Sequence, residues 1–167
     1  KIKLFYSSMS KVYVSETKKT GKGLFAKVNL KEGEAIFIAK GRMVKYPYYP
    51  DYKIGPNRLA MEKHIWLDPF DKNPWRFINH SCNPNAGLKD RRIVVAMKNI
   101  KKNKEVTIDY SITEEDPNWK MKCICSEKNC RKVIKSVRFL PLKLFEKYKN
   151  YIPEFMQEAY ASTHHNN

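Results

Sequence analysis

The chain has 167 residues, 42% of them apolar, with ten Tyr, eight Phe and three Trp; that is enough for one core and too apolar for wholesale disorder. No run approaches the roughly 18 apolar residues of a membrane span, and the opening KIKLFYSSMSKVYV lacks the apolar stretch and cleavage site of a secretion leader, so we expect an intracellular protein. Lys and Arg total 33 against 17 Asp and Glu, a net charge of +16, which predicts attraction to polyanions such as nucleic acid or acidic protein surfaces without naming either.

Short strands and turns come first, then one helix. Residues 11–15 alternate in character, 23–28 and 34–39 are apolar-rich, and 64–67, 93–97 and 106–110 have the β-branched and aromatic content of strands. Ala26-Lys-Val-Asn29-Leu30-Lys31-Glu-Gly33 is echoed by Ala96-Met-Lys-Asn99-Ile100-Lys101-Lys-Asn103. Each ends on Gly or Asn, which best accept positive φ, and we read the echo as shared turn chemistry rather than a repeat. Between them, residues 46–57 carry four Tyr among Pro and Gly, too irregular for a strand and expected as a surface loop with its tyrosines packed on the sheet.

From Pro141, residues Leu142, Phe145, Tyr148, Ile152, Phe155, Met156 and Tyr160 fall near helical spacing, a stripe for packing, and Pro153 should kink or divide the helix. The terminal His164 and His165 are weak evidence for a metal.

The four cysteines are unevenly placed: Cys82 stands alone, while Cys123, Cys125 and Cys130 form C-x-C-x4-C. One disulfide plus two free thiols would be an odd plan. Four thiolates suit a closed tetrahedral Zn2+ site in a reducing compartment, the alternative being core or free thiols. The metal reading requires Cys82 to lie beside the tail.

The segment Arg76-Phe-Ile-Asn79-His80-Ser81-Cys82-Asn83-Pro84-Asn85 is almost wholly polar after Ile78, and Asn-Pro marks a turn. If buried, it must satisfy every amide and imidazole, which makes it a candidate site. Val106-Thr-Ile-Asp109-Tyr110 lies downstream, and Thr20-Gly21-Lys22-Gly23-Leu24-Phe25 lies near the start. The G-x-G alone is weak: a dinucleotide fingerprint needs a third Gly and a following helix.

In the order G-x-G, RFINHSCNPN, E-V-T-x-D-Y and C-x-C-x4-C, the chain resembles the SET-domain protein lysine methyltransferases over about residues 11–135. The resemblance implies a mainly β fold with some α: small β-sheets with a pseudoknot in which the C-terminal segment threads under the NHSC loop. It implies a SET domain at 11–112 with a short insertion at 43–62, a zinc-binding post-SET segment at 119–135 and a C-terminal helical segment at 141–160. S-adenosylmethionine would lie against Thr20, Gly21, Lys22 and Gly23 and be held by Asn79, His80 and Tyr110, with Ile134 near its adenine. Cys82, Cys123, Cys125 and Cys130 would hold one structural zinc.

Methyl transfer needs a neutral lysine amine, whose reference pKa is about 10.4, in line with an activated methyl. Tyr110 matches the family's catalytic tyrosine and would orient the amine; with a phenol pKa near 10 it is not read as a base.

The chain departs from the family at two places. Ile108 stands where the family often has Phe or Tyr, favouring di- or trimethylation, and Ala39-Lys40-Gly41-Arg42 replaces Y-x-G-E, removing a channel tyrosine and reversing a charge. The acidic stretch of Glu105, Asp109, Glu114, Glu115 and Asp116 would receive a basic protein tail or be a solvated loop.

The implied substrate is a lysine-bearing basic protein, a histone or another chromatin protein, in the nucleus or on chromatin if the chain is eukaryotic or host-directed and in the cytoplasm otherwise. The basic surface would contact nucleic acid or a nucleosome, with no membrane involved. The alternatives are a SET enzyme for a ribosomal or other non-histone target, and a non-catalytic zinc module that binds nucleic acid or peptide.

Overall fold

A computed structural model describes residues 10–46 and 57–164. In chain order the strands are β1 (Val12–Thr17), β2 (Gly21–Ala26), β3 (Ala35–Ile38), β4 (Gly41–Lys45), β5 (Leu59–Glu62), β6 (Ile65–Pro69), β7 (Asn79–His80), β8 (Ala86–Lys89), β9 (Ile93–Ala96), β10 (Thr107–Ile108), β11 (Lys120–Lys122) and β12 (Val133–Lys135); helices α1 (Leu142–Tyr148) and α2 (Glu154–His164) follow. None of the described helices is long and apolar enough to cross a membrane.

The strands form small separate sheets. β1 and β2 make an antiparallel hairpin, β3-β9-β8 and β4-β6-β5 are three-stranded, β11 pairs with β12, and β7 runs parallel to β10. Buried residues run consecutively in β5, β8 and β9, and apolar residues of the strands fill the main core, in which Leu24, Leu59, Trp66, Ile108 and Ile112 are 0% exposed. This is the expected mainly β architecture with a C-terminal helical segment.

All six expected strands are present, most of them displaced by one or two residues. The strand expected at 106–110 is shorter, because the Asp109 carboxylate accepts the Ser111 N–H at 3.0 Å and caps a 3-10 turn, Tyr110–Ile112. The strands β4, β5, β7, β8, β11 and β12 were not expected. All of β5 and the end of β4 lie inside the segment read as an insertion, where Leu59, Ala60 and Met61 are buried and the Ala60 N–H donates to Thr113 O at 3.1 Å. Tyr46 packs edge-on against Trp66 at 5.8 Å; the other loop tyrosines lie outside the described residues.

Pro153 divides the C-terminal helix. α1 ends in a 3-10 turn, Lys149–Tyr151, and α2 begins just after the proline. The two halves are joined by Tyr160 stacked on Phe145 at 3.7 Å.

The echoed turns pair with one another. Leu30 and Ile100 exchange both backbone hydrogen bonds, at 2.8 and 2.9 Å. Every other contact recurs 70 positions apart: Asn103 N–H to Ala26 O and Gly33 N–H to Ala96 O, both 2.8 Å; Ala26 N–H to Lys104 O and Ala96 N–H to Glu34 O, both 2.9 Å. The asparagines act reciprocally, Asn29 Oδ1 accepting Lys102 N–H at 2.9 Å and Asn99 Oδ1 accepting Glu32 N–H at 3.0 Å. The echo is thus a local two-fold unit that locks β2 to β9, not only shared turn chemistry. Gly33 at φ 78° and Asn103 at φ 64° close its two ends.

Because the two asparagines make equivalent exposed bonds, Asn29→Ala and Asn99→Ala should each destabilise the fold by about 0.5–1.5 kcal/mol and to a similar degree, measured by urea unfolding.

Candidate active site

Two short segments converge to build the site. The first leaves a 3-10 turn, Pro74–Phe77, capped by Asn73 Oδ1 accepting Trp75 N–H at 3.1 Å. Trp75 is 3% and Ile78 2% exposed, so this turn is anchored in the core and delivers β7 at a fixed angle. The second is β10 with the turn capped by Asp109. In the parallel pair Thr107 lies opposite Asn79 and Ile108 opposite His80. Beyond it, Ser81 N–H donates to Ile108 O at 3.0 Å, while Asn85 accepts Thr107 N–H at 2.9 Å and donates to Glu105 O at 2.8 Å. These bonds satisfy the polar groups of a half-buried turn that faces an open cleft on one side.

Tyr110 stands where the segments meet. Its hydroxyl donates to Ile78 O at 2.7 Å, and its N–H donates to His80 Nδ1 at 3.1 Å. Burial, with the nearby Glu105 charge, pushes the phenol up to about 12, so it is a hydrogen-bond donor at neutral pH. Burial likewise drives His80 down to about 4, with Asp109 opposing and Arg131 reinforcing the shift. The imidazole is therefore neutral, and its 3.6 Å approach to Asp109 is not an ion pair. Since Nδ1 accepts, the proton sits on Nε2, aimed at Cys82 Sγ 3.3 Å away.

Asp109 is 0% exposed. Its Oδ1 takes the Arg131 guanidinium at 2.6 Å, while Arg131 also donates to Ser111 Oγ at 3.1 Å and, through its backbone, to Cys82 Sγ at 3.4 Å. Arg131 follows the last cysteine, so the tail neutralises the charge buried next to Tyr110.

The four cysteines are free thiols. Cys82 and Cys123 sulfurs are 3.8 Å apart, and donor atoms of His80, Cys82, Cys123 and Cys125 all lie within 4.8 Å of one another. Cys130 joins through sulfur contacts with Cys123 and Cys125. Unpaired thiols with N–H groups aimed at Cys82 and, from Cys125 at 3.5 Å, at Cys123 fit a thiolate metal site. The tautomer makes His80 a hydrogen-bond donor to the Cys82 sulfur rather than a fifth ligand.

An open cleft of about 690 Å³ lies beside this centre, a size suited to a nucleoside-sized ligand. The turn after β1 supplies Thr20, β7 supplies Asn79 and His80, and the floor includes Glu105 and Thr107. Three expected cofactor residues, Thr20, Asn79 and His80, thus line it. Gly21, Lys22, Gly23 and Tyr110 do not; Tyr110 lies behind His80, and the other three stand one step back, where Asn79 Nδ2 donates to Lys22 O at 3.0 Å, Thr20 Oγ1 at 2.9 Å and Glu105 Oε1 at 2.8 Å. The two glycines serve different ends: Gly21 needs φ of 75°, whereas a Cβ on Gly23 would meet Glu105 Oε1 at 2.6 Å. Ile134, expected at the adenine, is 1% exposed and packs with Cys82 and Cys123 instead of lining the cleft.

Apart from Glu105 on the cleft floor, the acidic stretch is neither a docking surface nor a solvated loop. Glu114, Glu115 and Asp116 are 5%, 2% and 7% exposed. Glu114 accepts the Trp66 indole at 3.3 Å and the N–H groups of Glu115 and Asp116 at 2.8 and 3.0 Å; Glu115 pairs with Arg138 at 2.9 Å. Ala39, at the departure from the family pattern, is 0% exposed, and at Gly41 a Cβ would meet Asp68 O at 2.0 Å. Arg131, Glu105 and Asn85 carry structural roles that sequence reading did not assign, though all three sit inside or beside the quoted motifs.

The family model of the SET domain matches residues 21–111. Over 129 residues the chain is 31% identical to histone-lysine N-methyltransferase 2B of Homo sapiens, covering 68% of this chain and 5% of that protein. Over 171 residues it is 28% identical to the H3 lysine-36 specific histone-lysine N-methyltransferase of Candida albicans, covering 92% of this chain and 19% of that one. The chain therefore spans less than a fifth of either relative. The solved structure of KRYPTONITE in complex with mCHG DNA and SAH has the same fold, with a TM-score of 0.58 and 22% identity over 73% of this chain and 28% of that one.

Arg131→Ala leaves Asp109 buried without its cation and should destabilise the fold by about 3–5 kcal/mol; adding Asp109→Asn should cost less than the sum of the single changes, read in a denaturant double-mutant cycle. Burial raises Glu114 from 4.5 to about 7. Its protonated form therefore favours folding, and that contribution is present below about 4.5 and lost as pH rises through about 7. Between pH 5 and 8 the wild type should lose stability relative to Glu114→Gln, by about 3 kcal/mol at most, at 1.36 kcal/mol per pKa unit.

Proposed function

The chain belongs to the SET-domain family, and from that premise we propose that it is an S-adenosylmethionine-dependent protein-lysine N-methyltransferase acting on a basic chromatin protein, with a histone tail as first substrate. The observation that carries the proposal is Tyr110: a protonated phenol on the Ile78 carbonyl whose N–H is held by the neutral His80, a residue that itself lines the cleft together with Asn79 and Thr20. S-adenosylmethionine, when bound, supplies a methyl group already activated for transfer.

The residues of the chain do the rest. Thr20, Asn79 and His80 offer hydroxyl, amide and ring to a ligand in the cleft. Tyr110, kept protonated by burial, keeps its O–H on the Ile78 carbonyl, so that its oxygen accepts an N–H of the arriving amine and leaves the single nitrogen lone pair free to point toward the cleft. An amine entering among buried apolar groups is favoured in its neutral, nucleophilic form. Ile108, fully buried and without a hydroxyl, leaves no anchored water to limit methyl number, which supports di- or trimethylation.

Cys82, Cys123, Cys125 and Cys130 would hold one Zn2+, whose part is architectural: it fixes the tail so that Arg131 reaches Asp109. The nuclear or chromatin setting follows from the same reading of the relatives, as does the histone substrate.

The test is transfer of labelled methyl from S-adenosylmethionine to histone H3 peptides and to a ribosomal protein extract, with the product mass recorded. Tyr110→Phe should lower transfer by about 10²–10³-fold while cofactor affinity stays within a few-fold. Transfer unchanged by that substitution removes Tyr110 from the chemistry. No transfer together with no binding of the cofactor leaves a zinc-containing binding module instead.

A further inference from the structure

The two-fold unit that locks β2 to β9 does more than pin the sheets. Residues 11–34 and 97–105, which contain it, carry ten Lys, four Glu and neither Arg nor Asp. Folding brings these segments to one side. Lys18, Lys19, Lys98, Lys101 and Lys104 surround the cofactor cleft, and Lys31 and Lys101 share the adjacent depression across the Leu30–Ile100 bridge. Nine of the ten lysines, all but Lys11, are exposed. Glu34 is paired with Lys11 at 2.8 Å and Glu105 accepts the Asn79 amide, so the exposed Glu16 and Glu32 are the carboxylates that face nine exposed lysines.

The other acidic cluster lies inside the protein. Asp109, Glu114, Glu115 and Asp116 are each 7% exposed or less, and Asp109 and Glu115 are paired with Arg131 and Arg138, so this cluster offers no surface carboxylate to compete for the lysines. The backbone that presents these lysines is held by the reciprocal hydrogen bonds of the two turns, which makes the array a fixed platform rather than a loose tail.

We propose that this lysine platform is a binding surface for the phosphate backbone of duplex DNA, which would hold the enzyme on chromatin while the neighbouring site modifies a protein tail. The proposal deepens the chromatin reading above and rests on it for the choice of DNA among polyanions. The charge type selects the mode of contact. Lysine is a compact point charge suited to phosphates, whereas reading base edges is mostly the work of planar, bidentate arginine, and these segments contain none. Single strands need aromatic stacking platforms; the sole exposed aromatic ring in these segments is Tyr13, and Phe25 stacks against one of its faces at 5.8 Å. The contact is therefore sequence-independent, salt-sensitive and specific to the duplex.

The test is fluorescence anisotropy of the full chain on two 30-base-pair duplexes of unrelated sequence, from 50 to 200 mM KCl. Lys27→Glu/Lys31→Glu/Lys102→Glu alters the platform away from the cleft lining; Lys143→Glu/Lys147→Glu/Lys149→Glu applies the same charge change on and just after α1. The wild type should bind both duplexes within about twofold of each other. The platform variant should bind at least tenfold more weakly, with its log–log salt slope reduced by about 3, near 0.9 per lost phosphate contact. The α1 variant should stay within about threefold of wild type.

Equal loss in the two variants would show that net charge alone drives binding and would overturn the proposal. Tighter binding to poly-glutamate or to single-stranded RNA than to duplex at matched charge would overturn it too. Methyl transfer to a free H3 peptide is measured on the same proteins. A platform variant that loses DNA but keeps transfer supports the surface apart from the chemistry; absence of transfer in all variants, with the DNA results as expected, rejects the enzyme reading and leaves the surface standing.

Discussion

The carboxylate of Asp109 has no access to water, and a buried charge of that kind is tolerated only when paired and hydrogen-bonded. Its cation comes from Arg131, 22 positions downstream in the tail, and its remaining strong contact is the Ser111 N–H. That second bond is the cap of the turn that begins at Tyr110. One carboxylate therefore fixes the start of the turn, receives the tail and sets the direction of the phenol. The same arginine lies next to Cys130 and donates its N–H to Cys82, so closing the charge also closes the sulfur cluster. The site is complete only when the tail is docked.

Around this centre the scaffold is divided into small sheets, each too short to be stable alone. What joins them is a set of reciprocal contacts: the two-fold pairing of the echoed turns on one side, and the lacing of residues 79–85 to 105–110 on the other. The cleft lies between these two joints, with Asn79 bridging the hairpin, the floor and β7. Glycine at position 23 lets the floor carboxylate come that close. The price of burying Asp109 and the acidic stretch inside is a surface left to lysine.

Much of this was legible in the sequence, and the limits have physical causes. The NHSCNPN and cysteine motifs could be singled out because their chemistry is local and unusual, and the fold brings their side chains together. Strands of three to five residues such as β4, β5, β11 and β12 carry too few side chains to show a period, so only folding reveals them. The acidic stretch looked like surface because charge normally is; its burial depends on Trp66 and Arg138, 48 and 23 positions away from Glu114 and Glu115. The echo was visible, but that its halves pair with each other is a fact of topology. Arg131 was hidden for the same reason, being one cation among 33 until its partner is seen.

Native-state amide hydrogen exchange tests most directly whether the tail and the turn that begins at Tyr110 form one unit. The N–H groups of Tyr110 and Ser111 on one side, and of Cys123 and Arg131 on the other, should share a single opening free energy, because each half loses its partner when the other leaves. Tail amides that exchange far more readily while Tyr110 and Ser111 stay protected would show that the turn stands without the tail, and would contradict the account.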